Sequence, residues 1–322
     1  MRGALRLGRK YTVGPALLAG LLLAGAKVRA QAVALSGVVV DAVSGQPVPF
    51  AVVEIRARHL GVQTTEQGQF TMDLPTACTT SDSLQVSSLG FAPRVVAVPG
   101  VSPCRLALRP LAVALPEAVV RPSTARPVLL GPAGAGDKAG FGGGAGMSAA
   151  HSSGWQVARR FTEAPAGTIQ AVRFYVKPNP HCGKTSVTAP FRVRLYAADG
   201  PNGAPGTDLL TTSVISAAGK AGWHEVNLAN YQVAVPTGGF FVAMEWLYTK
   251  PDFGCEFHYV TSTKEQKTVS VYGQSLGGYR NATEPPGWYL SAGYPWQTFR
   301  ALPDHAALGS QSAAIQALVQ PN

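Results

Sequence analysis

Leu35-Ser36-Gly37-Val38-Val39-Val40-Asp41, then Ser44-Gly45-Gln46-Pro47, then Gln67-Gly68-Gln69-Phe70-Thr71-Met72 is the stretch whose reading decides the fold. Residues 38–40 and 52–55 are rich in β-branched side chains. The Gly and Pro of residues 44–47 punctuate a turn between them. Gln67-Gly68 marks a second turn, where Gly68 is expected to take a left-handed backbone that a Cβ disfavours. Phe70 and Met72 stand two residues apart and so share one face of a strand, an alternation that Leu84 and Val86 repeat. Pro75, Pro93, Pro99, Pro103 and Pro110 leave no room for a long helix. Short strands at about ten-residue spacing predict a β-sandwich, because a lone sheet leaves one apolar face in water.

Upstream, Arg2, Arg6, Arg9 and Lys10 precede an apolar run over residues 13–26, and Val28-Arg29-Ala30 closes it with small residues at the positions a signal peptidase reads. Residues 1–30 are therefore expected to be a secretory signal cut after Ala30, with no membrane span left after cleavage. No Cys stands near the cut, so a lipid anchor is not expected. The chain of 322 residues carries a formal charge of +10. The six basic residues of the signal, with no acid among them, account for six of those ten. What remains has no dense basic run, so nucleic acid is not an expected partner. At 46% hydrophobic and 14% charged, the chain is globular rather than disordered.

Downstream of the first sandwich (residues 31–120), residues 121–150 read as a Gly/Pro-rich linker. Gly131, Gly136 and Lys138 come close to a phosphate-binding loop. Asp137 intervenes, however, and no Ser or Thr follows the lysine to hold magnesium. A second sandwich, jelly-roll-like, is expected over residues 151–300. In Phe191-Arg192-Val193-Arg194-Leu195-Tyr196, alternation sends Phe191, Val193 and Leu195 to one face; Val172, Phe174 and Val176 do the same. Phe240-Phe241-Val242-Ala243-Met244 is a continuous apolar run that suits a strand buried on both faces. Residues 301–322, Ala- and Gln-rich, read as a flexible tail. The fold class is thus all-β, two sandwiches joined by a linker.

Four cysteines fall as Cys78 and Cys104, then Cys182 and Cys255. In an exported chain they point to disulfides, simplest as one bridge per domain. A metal site using Cys182, Cys255, His181 and His258 is the alternative, but it lacks the closely spaced pairs that zinc sites show. No metal or other cofactor is expected.

Three motifs invite a catalytic reading; the first two fail on their context, and spacing does not decide the third, whose members need only meet in space. Gly273-Gln274-Ser275-Leu276-Gly277 fits the Gly-x-Ser-x-Gly pattern, but no helix can follow through Pro285-Pro286-Gly287, so a turn between strands is expected. His224-Glu225 has Leu228 where a zinc motif needs a second His; His224 is expected on a half-buried strand face. Glu225, Glu245 and Glu256 lie on or beside strands with no spacing that singles out a pair. The sharper signal is aromatic. Tyr279, Trp288, Tyr289, Tyr294, Trp296 and Phe299 crowd a Gly- and Pro-containing segment. Such rings either lid the core or present flat faces to a sugar or peptide, and both readings stand.

The first unit, with Gly68 and Phe70 at its turn, Gly90-Phe91, and Arg105-Leu106-Ala107-Leu108, resembles the carboxypeptidase regulatory-like domain, common in envelope proteins of Bacteroidota-type bacteria. The resemblance implies a small transthyretin-like sandwich without catalytic residues. Leu115-Pro116-Glu117-Ala118-Val119-Val120 resembles the exit that precedes outer-membrane receptor barrels, but the remaining residues are too few for such a barrel, and a receptor is not expected. The second unit resembles uncharacterised sandwich domains that accompany this module. Together these imply a non-enzymatic exported protein of the periplasm or outer surface, an interaction or scaffold module with an envelope protein or polysaccharide as partner. The alternative is a carbohydrate-binding protein using Tyr279, Trp288, Tyr289, Tyr294 and Trp296.

Overall fold

The structure, a computed structural model, describes residues 33–74, 81–111, 125–134, 139–142, 154–249, 251–260, 264–280, 286–299 and 311–322. The expected signal (residues 1–30) and Cys78 lie outside the described residues, as do Asp137 and Lys138.

Among the described residues the first domain has eight strands: β1 (Val33–Asp41), β2 (Val52–Ile55), β3 (Leu60–Gln63), β4 (Gln69–Leu74), β5 (Ser83–Ser87), β6 (Phe91–Ala92), β7 (Arg94–Ala97) and β8 (Cys104–Pro110). They form two four-stranded sheets, ordered β4-β1-β8-β6 and β3-β2-β5-β7. β1 and β8 run parallel; the other described pairs are antiparallel. Phe70, Met72 and Leu74 of one sheet and Val53, Ile55, Leu84 and Val86 of the other meet in a single buried cluster. Each such side chain contributes about 1.5–3 kcal/mol on leaving water. Gly68 turns into β4 at φ 70°. A Cβ there would stand 2.6 Å from the carbonyl oxygen of Val39, so the turn requires glycine on two counts.

The second domain begins with β9 (Val128–Leu130), β10 (Ala139–Phe141), β11 (Gln156–Phe161), β12 (Gly167–Lys177), β13 (Phe191–Ala197) and β14 (Val214–Ser216). It continues with β15 (Gly222–Asn227), β16 (Val233–Ala234), β17 (Phe240–Trp246), β18 (Gly254–Val260), β19 (Gln266–Tyr272) and β20 (Ser275–Arg280). It ends with β21 (Trp288–Leu290), β22 (Gln297–Thr298), β23 (Gln311–Ala313) and β24 (Ile315–Pro321). One sheet runs β10-β20-β12-β24-β9, with β15 and β16 also on β12 and β23 on β20; the facing sheet runs β14-β13-β17-β11-β21-β22. Phe174 and Val176 of the first sheet pack into one core with Phe191, Val193, Leu195, Val242 and Met244 of the second. Every residue of β17 is buried, as a continuous apolar run predicts. The fold is all-β, with sheets arranged as sandwiches and no barrel among the described residues.

Three expectations are corrected. The segment read as a flexible tail contains β23 and β24, and β24 pairs with β12 from Gly167↔Pro321 to Phe174↔Ile315. Ala313, Ala314, Ile315, Ala317 and Val319 are completely buried. The low charge that looked like a tail is the signature of a strand inside a sheet. The segment read as a linker also contributes strands: β9 pairs with β24 and β10 with β20. Phe141 sits 4.7 Å from Phe299, centroid to centroid, over Gly278, where a Cβ would come within 2.5 Å of its ring. Third, Cys104 is a free thiol rather than half of a bridge. It pairs with Gly37 across β1 and β8 and turns its sulfur onto that glycine; burial raises its pKa.

The bridge between Cys182 and Cys255 is present. β18 and β19 pair only with each other among the described strands, and a lone hairpin is marginal in water. The disulfide, the stacking of His181 on Phe257 at 3.8 Å and the buried Tyr272 fasten this hairpin to the domain. A disulfide fits an extracellular protein. No helix among the described residues is long and apolar enough to cross a membrane.

Candidate binding cleft between the domains

Alternation on β13 has a second consequence. While Phe191, Val193 and Leu195 face the core, Arg192 and Arg194 face the other way. That face is not solvent: the first domain lies on it. Glu245 stands opposite Arg192 across β13 and β17 and is completely buried. Its carboxylate accepts from Arg192 Nη1 at 3.3 Å, from Arg194 Nη1 at 3.1 Å and from Gln63 Nε2 of the first domain at 2.7 Å. Arg192 Nη1 also donates to the Phe50 carbonyl of the first domain at 3.3 Å, and Arg194 forks onto Asp208 at 2.7 and 3.0 Å. A buried charge is tolerable only when paired and hydrogen-bonded, and this network satisfies that condition across a domain boundary. Burial pulls the Arg192 guanidinium below its ordinary pKa. Burial also works against the Arg194 charge, but the surrounding Tyr196, Asp208 and Glu245 raise it. Burial raises the Asp208 carboxyl against the pull of Arg194.

The seam continues through close backbone approaches. A Cβ on Gly61 would stand 2.5 Å from Ala292, and one on Gly293 (φ 86°) 2.6 Å from the Leu60 carbonyl oxygen. Gly293 N donates to Glu54 at 2.8 Å. His59 and Tyr294 stack at 4.7 Å with 14° between their planes. Leu89 of the first domain packs into the core of the second.

Beside this seam lies a cleft of about 320 Å³, lined from the first domain by Glu54, Arg56 and Phe91, among others, and from the second by Arg194, Tyr196, Asp208, Tyr294 and Trp296. Tyr196 donates to Gln156 Oε1 at 2.8 Å, and Trp296 meets it edge-on at 5.4 Å. The predicted aromatic cluster is therefore divided. Tyr294 (43% exposed) and Trp296 (half-buried) reach the cleft. Tyr289 is core, between Trp155 at 5.2 Å and Phe299 at 5.0 Å. Trp288 covers Phe241 edge-on at 6.0 Å, and Tyr279 on β20 donates its hydroxyl to the Gly134 carbonyl. Sequence reading missed Arg192, Arg194, Asp208 and Gln63, and took Glu245 only as a possible catalytic acid. The signal was present: two arginines at alternate positions, and one glutamate inside an otherwise apolar run.

The catalytic motifs do not assemble. Gly273 (φ 68°) makes the turn between β19 and β20, and Ser275 is buried on β20. Glu225 is ion-paired with Arg173 on an exposed face, Glu256 lies exposed on the hairpin, and Glu245 has no access to solvent. No metal-ligating cluster occurs among the described residues. Ser216 and His224 Nε2 are 2.8 Å apart, but among the described residues no acid completes a triad. Burial lowers His224 below its ordinary 6.5. The folded state therefore resists protonation that the unfolded chain accepts. The stability this histidine confers is present above pH 6.5 and lost as pH falls through 6.5 toward the folded value. Urea titrations at about pH 7.5 and about pH 5 should show wild type losing more stability than His224→Gln; equal losses would contradict the assignment.

The fold and seam define a two-domain, all-β protein whose chemistry is concentrated where the domains meet. Residues 34–108 match the carboxypeptidase regulatory-like domain family, so the first domain is a domain of that kind, a non-catalytic type. No curated protein matches the chain. Among solved structures it is similar to a clostridial cysteine protease, Cwp84, after propeptide cleavage. The identity is 15% over 53% of this chain and 37% of that chain, with a TM-score of 0.32. This chain spans little more than a third of that protein, and so slight a likeness carries no argument.

Proposed function

We propose that the chain is a non-enzymatic, exported cell-envelope protein, periplasmic or on the outer surface, acting as an interaction and scaffold module. The observation that supports it is the seam. Glu245 ties Gln63 of one domain to Arg192 and Arg194 of the other, so a buried network joins the two sandwiches in addition to the chain between them. Domains joined in this way lose less freedom on binding than a freely tethered pair does. Chromogenic ester, peptide and glycoside substrates should show no turnover with residues 31–322 beyond that of the Ser216→Ala/His224→Ala double variant. Cross-linking in the native envelope should give a discrete adduct. Turnover that the double substitution abolishes would sink this reading. A second reading, a carbohydrate-binding protein, is favoured by the position of Tyr294 and Trp296 on the cleft.

A further inference from the structure

We infer that the cleft between the domains is a binding site for an uncharged glycan, built jointly by both domains; this rests on the carbohydrate reading above. Three observations converge on it. The first is charge balance. Each cation that lines the cleft is already matched: Arg56 by Glu54 at 2.7 Å, Arg192 by Glu245 at 3.3 Å, and Arg194 by Asp208 at 2.7 Å and Glu245 at 3.1 Å. A carboxylate, sulfate or phosphate ligand would find no surplus positive charge, and a cationic one no surplus negative charge, so the site selects against both.

The second is the pairing of flat apolar faces with polar groups held in place. Trp296 and Tyr294 line the cleft at partial exposure. Beside them stand the Arg56–Glu54 pair, its arginine side chain 65% exposed, and the Arg194–Asp208 pair, its aspartate side chain 33% exposed. A pyranose has the matching character: C–H bonds gathered on one face for an aromatic ring, and hydroxyls around the edge that both donate to a carboxylate and accept from a guanidinium. Because Glu54 is held by Gly293 N at 2.8 Å and Arg194 by Glu245 at 3.1 Å, both pairs are oriented before the ligand arrives.

The third is size and shared construction. At about 320 Å³ the cleft falls at the lower end of small-ligand sites (~300–1,000 Å³), room for a short segment of a chain. Tyr294 is held by His59 of the first domain, and Arg56 belongs to that domain too. The regulatory-like domain thus supplies part of the wall, and the second domain alone holds half a site.

The test is affinity electrophoresis of residues 31–322 in gels cast with neutral polymers (laminarin, mannan, xylan, dextran) or with acidic ones (alginate, polygalacturonate). At least one neutral polymer should retard the chain. Trp296→Ala and Tyr294→Ala should each weaken that retardation about tenfold or more in apparent Kd, measured at a temperature where circular dichroism shows each variant still folded. Arg56→Gln, an exposed change in the other domain, should weaken it as well, and Trp296→Phe should restore part of it. Retardation by a neutral polymer that survives all these substitutions would place the glycan elsewhere and overturn the cleft while leaving the carbohydrate reading intact. Retardation by acidic polymers alone would overturn the uncharged class. Uniform mobility across the panel would overturn both this inference and the carbohydrate reading.

Discussion

A chain ending at Ser310 is expected to lose the native structure of its second domain. The missing residues include β24, which pairs along β12 over seven positions and separates it from β9. Their loss would strip β12 of one neighbour, leave β9 without a partner and expose the wall formed by Phe174 and Val172. Ile315, Ala317 and Val319 are fully buried, so their apolar contribution goes with the hydrogen bonds. Far- and near-ultraviolet circular dichroism with limited proteolysis would report the outcome. The first domain, with its own buried cluster, should be the fragment that resists protease. Ile315→Ala is the graded version, expected to cost about 2–5 kcal/mol in a urea titration. A truncated chain with native dichroism and protease resistance would show that the C-terminal strands are dispensable.

Glu245→Gln should cost about 3–5 kcal/mol, because it removes the counter-charge of a buried guanidinium rather than a surface contact. Arg192 is 2% exposed and Glu245 completely buried. A carboxamide in place of the carboxylate still accepts a hydrogen bond but no longer balances Arg192 and Arg194. The control is Glu225→Gln, which breaks an exposed pair with Arg173 whose side chains are 47% and 35% exposed and should cost under about 1 kcal/mol. Equilibrium urea unfolding of both variants distinguishes a structural keystone from an ordinary ion pair; equal costs would contradict the buried network. Because one of the two oxygens that serve Gln63, Arg192 and Arg194 becomes an NH2 donor facing other donors, proteolysis of Glu245→Gln should show the two domains loosening from each other before either unfolds.

The ladders inside each domain were legible in the chain because side-chain alternation is a local property. Phe70 and Met72, Val172 and Phe174, Val193 and Leu195 all face inward as their spacing requires, and Gly68 turns where a left-handed residue was expected. The tail was not legible for a physical reason. Ala313, Ala314 and Ala317 are small enough to look indifferent alone, and burial against β12 and β20 gives them their role. The same holds for residues 128–130, an apolar triplet that becomes a strand only because β24 offers it an edge.

By itself, the sequence determined the all-β class, the first domain's kind, the strand faces and the turn glycines, since each depends on residues within a few positions of one another. The tertiary structure alone decided which aromatic rings are core and which meet solvent. It also decided that Cys104 stays unbridged and that Arg192, Arg194 and Glu245 lie under another domain. These depend on what arrives from more than a hundred residues away, as Gln63 reaches Glu245, and no local pattern in the chain encodes the desolvation that such a contact brings.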